Sequence, residues 1–447
     1  MGGRRGGGPL TIAASGPRVA ARPTPALTSA LEGSLSPVGL YLHVPFCVSL
    51  CPYCDFVVYT GNAARGPRSR VEAFVRAVQV ELELHADELD ARFGPPRANG
   101  ALGTFGRSRL DSVYLGGGTP SLLPAADVAA LLERIERRFG LASGAEVTIE
   151  ANPGSNERGD LAGFRAAGVN RISFGAQSLD AGELRRLGRR HQASDVVEAV
   201  ESARRAGIEH RSLDLLYDLP GQSMATWRAT VEAALQAPID HLSAYALTID
   251  DPEAEGLTGP TGDHLPVRAG ARRWRRTVAA EQDDDRAADA YLWFDDRVAT
   301  AGFGWYEVSN WARPWAASRH NRAYWRRQPT LGVGPGAHSF DGARLRSWNA
   351  ARIDGYLAAL LPDDGTPPRL PPRAFDRLDG YAIRLETISL ALRTSDGLAA
   401  SALAPSVKAE VDAARAAGLL EPSDGARILL TPRGRLLAGE LAGRFAG

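Results

Sequence analysis

The stretch "LYLHVPFCVSLCPYCDFVVYTG", residues 40–61, holds every cysteine of the 447-residue chain: Cys47, Cys51 and Cys54, spaced C-x3-C-x2-C. An odd number of thiols, confined to so short a run, does not make a disulfide framework. The pattern points instead to a metal group in a reducing compartment. The apolar run Val38–Phe46 reads as a strand, so the cysteines stand just past a strand end. Two metal readings follow from the residue types. A structural zinc wants four sulfur or nitrogen ligands, and His43 is the only histidine nearby. It lies on the strand, where consecutive side chains face opposite ways. An iron–sulfur cube normally takes four cysteines, and three leave one iron open to another ligand.

Outward from the cysteines, short apolar runs alternate with amphipathic stretches. The runs are Val38–Phe46, Ser112–Leu115, Glu146–Ala151, Arg171–Gly175, Ser212–Tyr217 and His241–Ile249. Helical spacing recurs over 70–89, 125–140, 160–168, 194–207 and 223–237, with Asp or Ser at several starts and Gly at several ends. This rhythm predicts an α/β fold: parallel β/α units forming a partial TIM-like (β/α)6 barrel, with its chemistry just past the strand ends. Residues 1–37, rich in Gly, Ala, Pro and Arg, read as a disordered tail, 38–260 as the core barrel and 261–367 as its completion. Residues 368–447 read as a small winged-helix-like domain of helices and a short β-hairpin. The Gly/Pro/Arg-rich stretch 92–109 reads as a surface insertion.

Lys plus Arg and Asp plus Glu stand at 52 each, with 44% hydrophobic and 23% charged residues. That balance fits a soluble globular protein and argues against a nucleic-acid binder. No apolar run is long enough for a membrane-spanning helix, and the expected location is the cytoplasm. The basic run "RAGARRWRR" (268–276) could touch anionic lipid or a carboxylate, but such a run is more often a solvated helix face. Homodimerisation and peripheral membrane contact both stay open.

After the second strand, "VYLGGGTPSLLP" (113–124) offers Gly116, Gly117 and Gly118, where backbone can approach a ligand closely. An ordinary βα turn would look the same. Taken together, the cysteine spacing, the strand position and these glycines resemble the radical S-adenosylmethionine (SAM) superfamily. The resemblance implies a [4Fe-4S] cluster on Cys47, Cys51 and Cys54. It also implies that SAM chelates the open iron through its amine and carboxylate. Further stretches match one subgroup in order: "TIEANPG" (148–154), "GVNRISFGAQSLDAGELRRLGRRHQA" (168–193), "LDLLYDLPGQ" (213–222), "HLSAYALTID" (241–250), "WYEVSNWARPWAASRHNRAYW" (305–325) and "LGVGPGAHSF" (331–340). From about residue 38 to the C-terminus the chain is similar to the oxygen-independent coproporphyrinogen III oxidase family. That similarity implies SAM contacts for Tyr41, Tyr53, Gly117, Gly118, Thr119 and Glu150. Gln177, Arg189 and Asp214 match positions that hold a second SAM in the oxidase; the structural alternative for each is a buried ion pair.

The family has two branches. The oxidase carries a fourth cysteine two residues after the third; here that position is Phe56, in "CPYCDF". The heme chaperone (HemW-type) branch reads "CPYCDF" and carries an H-N-x-x-Y-W motif associated with heme, matched by His320, Asn321, Tyr324 and Trp325. Imidazole is a standard axial ligand of heme iron, and the two aromatic rings could pack on a macrocycle. The alternative is that His320 and Asn321 cap a helix or bond inside the barrel. His338, in "GPGAHSF", reads as structural. The resemblance therefore implies a carrier of heme to apo-hemoproteins such as respiratory enzymes, with no catalytic residue assigned. A radical enzyme that decarboxylates the propionates of coproporphyrinogen III is the alternative, and a zinc-stabilised module is the third reading.

Overall fold

The computed structural model describes residues 35–60, 69–97, 106–249, 251–422 and 425–447. The expected tail therefore lies almost wholly outside the described residues, as does the middle of the stretch 92–109. Six strands run in sequence order: β1 (Gly39–Val44), β2 (Leu110–Gly117), β3 (Leu141–Ala151), β4 (Arg171–Gln177), β5 (His210–Tyr217) and β6 (His241–Ala246). Each pairs in parallel with the next. Between them lie α1 (Ser69–Phe93), α2 (Ala125–Phe139), α3 (Leu161–Ala166), α4 (Ala181–Arg186), α5 (Ala193–Arg205) and α6 (Met224–Leu235).

Period-two alternation along these strands separates two environments. Leu40, Leu42, Val113, Leu115, Ile149, Ile172, Phe174, Leu213, Leu215 and Leu242 are fully or almost fully buried and join one core with Phe74, Val78, Leu131 and Ile135 of α1 and α2. The alternate positions, among them Tyr114, Glu150, Ser173, Asp214 and Ser243, line a cavity on the other face. A hydrophobic wall thus faces the helices, and a polar one faces the barrel interior.

Antiparallel strands cover the edge beside β6: β7 (Gly304–Glu307) and β8 (Asn310–Ala312). A seventh parallel strand, β9 (Thr330–Val333), joins on the far side of β1. It falls in "LGVGPGAHSF", which is not among the strands expected from sequence because four residues broken by glycine carry little strand signal. Beyond β9 the sheet continues through antiparallel β10 (His338–Phe340), β11 (Leu345–Asn349) and β12 (Arg373–Arg377). These twelve strands form one sheet in the order β12-β11-β10-β9-β1-β2-β3-β4-β5-β6-β8-β7. Helices α7 (Ala269–Ala279) and α8 (Asp284–Thr300) occupy the charged stretch before β7, and α9 (Arg319–Trp325) follows β8.

Trp227 of α6 is fully buried, donates its indole N–H to the Ala290 carbonyl of α8 (3.2 Å), and packs on Phe294 (ring centroids 5.5 Å apart). A second core gathers Ile388, Leu392, Leu398, Val411, Leu420, Leu430, Leu441 and Phe445. It includes a helix over Gly380–Leu392, which follows β12, and a two-stranded sheet of Leu398–Ala399 with Arg427–Ile428.

Candidate cofactor site

The cysteine loop leaves β1 and folds back beside it. The Tyr59 N–H donates to the Pro45 carbonyl (2.7 Å), the Cys47 N–H to the Tyr59 carbonyl (3.1 Å), and the Cys54 N–H to the Cys51 carbonyl (3.1 Å). All three thiols are free and line one cavity of about 440 Å3 at the C-terminal ends of the strands. Burial pushes the Cys47 thiol up to about 12, and Cys54 is raised as well. Such thiols ionise only when a cationic group binds them.

His43 Nε2 bonds the Val57 carbonyl oxygen (2.9 Å) and its Nδ1 the Tyr41 hydroxyl (3.0 Å), so neither nitrogen is open to serve as a fourth zinc ligand. Among the described residues no three His, Cys, Asp or Glu side chains converge on a single ion position. Three thiols spread around a cavity suit a cluster whose irons are ligated separately better than they suit one ion.

The polar wall ties the thiols together. Cys47 Sγ lies 3.2 Å from the Thr119 hydroxyl, which accepts from Asn152 Nδ2 at 3.2 Å. Asn152 Oδ1 accepts from Arg189, whose other terminal nitrogen reaches Cys51 Sγ at 3.5 Å. A continuous path therefore runs from Cys47 through β2, β3 and the loop after α4 to Cys51. Asn152 is its middle link. It lies within "TIEANPG", but its residue type alone marks no role there, because an Asn after a strand is ordinary turn chemistry.

The glycines meet a steric requirement. Gly117 has φ +105°, and a Cβ there would lie 2.4 Å from the His43 ring; at Gly118 it would lie 2.7 Å from the Phe46 carbonyl. Glu150 accepts from the Tyr114 hydroxyl (2.8 Å) and the Gly117 N–H (2.9 Å), yet burial raises its carboxyl to about 7. Asp214 accepts from the Ser173 hydroxyl at 2.9 Å and is also raised by burial.

A bulge in β4 between Gly175 and Gln177 re-aims Gln177, whose φ of +60° is left-handed. Its buried Oε1 has no hydrogen-bond partner among the described residues, and neither does Arg189 Nε. One orphaned acceptor and one orphaned donor thus belong to residues lining the same cavity. Buried polar atoms of this kind are costly unless a ligand satisfies them, so the wall fits a polar, zwitterionic guest.

Of the expected SAM residues, Tyr53, Gly117, Gly118, Thr119, Glu150, Gln177, Arg189 and Asp214 all line this cavity. Tyr41 does not; it stands one layer back, its ring 6.2 Å from Tyr114 and 6.5 Å from His320.

The H-N-x-x-Y-W residues lie at the other end of the strands. Helix α9 plugs the floor of the barrel beneath the starts of β2 and β3. Glu146 of β3 accepts from the Ser318 hydroxyl (3.0 Å) and from the N–H groups of Arg319 (3.0 Å) and His320 (3.1 Å), capping the helix. His320 is 1% exposed and stacks on Tyr114 at 5.2 Å. Its Nδ1 bonds the Ser112 hydroxyl and its Nε2 the Tyr324 hydroxyl, each at 2.9 Å. Burial lowers the imidazole to about 4, which keeps it neutral. Asn321 lines the cavity from below, Tyr324 is 41% exposed, and Trp325 bonds Glu307, which burial raises to about 8. The motif is therefore shared between a buried lock, the cavity floor and the outer surface.

Arg275 of α7 is hidden in sequence inside the basic run. It is 5% exposed rather than solvated. Its guanidinium donates to the carbonyls of Pro52 (3.0 Å) and Cys54 (2.9 Å) and pairs with Asp55 (2.6 Å), clamping the cysteine loop.

The radical SAM superfamily profile matches residues 41–234. The chain is 38% identical over 411 residues to the heme chaperone HemW of Mycobacterium tuberculosis, covering 92% of this chain and 95% of that one. It is 32% identical to the heme chaperone HemW of Synechocystis, over 81% of this chain and 80% of that one. Its fold is similar to that of the coproporphyrinogen III oxidase HemN of Escherichia coli, a radical SAM enzyme, with a TM-score of 0.71 and 20% identity over 94% and 92% of the two chains.

Proposed function

This chain belongs to the HemW family within the radical SAM superfamily, and on that premise we propose that it is a heme chaperone. It binds a [4Fe-4S] cluster and SAM, and it transfers heme to apo-hemoproteins such as respiratory enzymes in the cytoplasm. The observation that carries this reading is Phe56. It is 62% exposed at the end of the cysteine loop, at the position where the oxidase pattern has its fourth cysteine.

Cys47, Cys51 and Cys54 would hold the cluster, and the cluster with SAM would supply one-electron chemistry when bound. The open backbone at Gly117 and Gly118 leaves room for SAM beside Thr119 and Tyr53. Glu150 accepts from its ammonium or ribose, with Tyr41 acting one layer back through His43. Gln177, Arg189 and Asp214 present an acceptor, a cation and an anion to the far side of the same guest or to a second one. At the floor, Tyr324 and Trp325 offer aromatic surface to a macrocycle, and Asn321 faces the cavity. His320, whose Nε2 is held by the Tyr324 hydroxyl, would be the imidazole of the motif available to heme iron.

The test is a heme titration of the anaerobically reconstituted protein, followed by the Soret band. A saturable complex that His320→Ala weakens is expected. No saturable complex in the reconstituted wild type overturns the carrier reading, and turnover of coproporphyrinogen III with SAM and a reductant is then the assay to run.

A further inference from the structure

Thr119, Asn152 and Arg189 bridge Cys47 to Cys51, and their chemistry fixes which way the protons of that bridge point. Asn152, the first residue after β3, is its centre. Its Oδ1 accepts from Arg189 at 2.5 Å, while its Nδ2 donates to Glu157 Oε2 at 2.7 Å and to the Thr119 hydroxyl at 3.2 Å. A guanidinium only donates and a carboxylate only accepts, so the amide can sit in one orientation alone. Both hydrogens on Nδ2 are then spent. Glu157 is anchored in turn, its backbone carbonyl accepting from the Ser121 hydroxyl.

The consequence passes to the sulfurs. A hydroxyl has a single proton to give. The Thr119 oxygen already accepts from Asn152, so its proton is left for Cys47 Sγ, 3.2 Å away. Thr119 is 1% exposed, and its N–H donates to the Phe46 carbonyl at 2.7 Å, which holds the hydroxyl away from solvent. On the other side, Arg189 spends one terminal nitrogen on Asn152 Oδ1 and on the Gly175 carbonyl (2.8 Å). A planar guanidinium held at those two points aims its other terminal nitrogen at Cys51 Sγ, 3.5 Å away.

Hydrogen bonds to sulfur are among the quantities that set the potential of an iron–sulfur cluster. Reduction adds negative charge to the cluster and its thiolates. A donor that faces sulfur stabilises that charge, so it favours the reduced form and raises the potential. One amide thus governs donors to two thiolates. Removing it frees the Thr119 proton to turn elsewhere and deprives Arg189 of one of its two anchors.

We propose that Asn152 is a positioning residue that raises the reduction potential of the cluster, by aiming the Thr119 hydroxyl at Cys47 and the Arg189 guanidinium at Cys51. This rests on the cluster reading and adds to it a residue that acts through its neighbours, since the hydrogen bonds of Asn152 itself go to Thr119, Glu157 and Arg189. It also gives a role to the middle link of the polar wall, whose residue type marks none in the sequence.

The test uses the full chain, reconstituted anaerobically with iron and sulfide and without SAM, so that effects on SAM binding do not enter. The cluster is titrated with dithionite in the presence of mediator dyes, and its reduced form is read by electron paramagnetic resonance. For Asn152→Ala the expected result is a lower potential: at the wild-type midpoint, roughly tenfold less reduced relative to oxidised cluster, which is about 59 mV for a one-electron couple. Thr119→Val, which removes only the hydroxyl, should shift the midpoint the same way by less. The double variant should shift it by less than the two single shifts added together, because one of the two routes from Asn152 is then already gone. An unmoved midpoint in Asn152→Ala overturns the assignment while the cluster reading stands, and so does a fully additive double variant. If Asn152→Ala takes up no cluster, Thr119→Val decides: a lowered midpoint supports the assignment and an unmoved one overturns it. If the wild type takes up no four-iron cluster, by iron and sulfide content and by its resonance signal, the cluster reading and the assignment fall together.

Discussion

Glu150 and Glu307 are acids held in places that favour their neutral form, with burial raising them to about 7 and about 8. A raised acid stabilises the folded chain fully below its ordinary value, and that contribution is lost as pH rises through the raised one. His43, His191, His241 and His320, all lowered by burial, act in the opposite sense, an effect that is largely complete by about pH 7. Between pH 7 and 8 the two carboxyls therefore dominate. The stability of the cofactor-free protein should fall across that interval by roughly 1 kcal/mol. Glu307→Gln should remove the larger share of the fall. Urea midpoints at closely spaced pH values check this; a flat or rising profile in the wild type would sink it. Neither acid's position is marked by composition. Glu150 is legible only through the motif around it, and Glu307 not at all, because burial comes from segments distant in sequence.

At the level of elements, α7 shows where periodicity stops informing. Its arginines read as a solvated face, and Arg273 and Arg276 do face water. Arg275 points the other way and holds the backbone of the cysteine loop, far upstream in the chain. Arg275→Ala leaves two loop carbonyls and Asp55 without their cation, a change expected to cost about 2–4 kcal/mol. Thermal melting should register that loss, and a chelator should strip iron from the reconstituted variant faster than from wild type. Arg275→Lys should fall between the two. Unchanged melting and iron retention in the alanine variant would mean that the loop holds itself. The strands behave otherwise. Alternation of apolar and polar residues over β1 to β6 places them within a few residues of their observed ends, since a strand with one greasy face can sit in only one register.

Across the whole molecule, the two stretches most suggestive of cofactors lie at opposite ends of the barrel. The cysteine loop crowns the C-terminal ends of the strands, and α9 closes the N-terminal ends through Glu146 and Ser112. Backbone pairing of Glu307 with Thr394, the Ser395 N–H donating to the Tyr306 carbonyl, and several charged contacts join the second core to the first. Arg435 pairs with Asp295 (2.9 Å) and lies over Trp305 (3.7 Å), while Glu386 pairs with both Arg327 and Arg346. Side chains at the Arg435–Asp295 contact are 12% and 13% exposed, so the pair is shielded from salt. Arg435→Ala should speed amide exchange in residues 380–447 while leaving β1 to β6 protected. Uniform acceleration through both cores would show instead that the molecule opens as one unit.

The sequence by itself determined the barrel rhythm, the cysteine loop at the end of its first strand and the glycine strand end, while the polar wall was indicated only by resemblance to a known family. The first three are local signals: a spacing, an alternation, a run of glycines. Tertiary structure alone decided which of those residues meet. It joined Cys47 to Cys51 through Thr119, Asn152 and Arg189, and it set Arg275 against the loop. It closed His320 between Ser112 and Tyr324, and it set His338 against Asp263. The reason is physical. Whether an imidazole is a lock or a ligand depends on what fills its two nitrogens, and those partners come from strands and loops that one-dimensional spacing does not bring together.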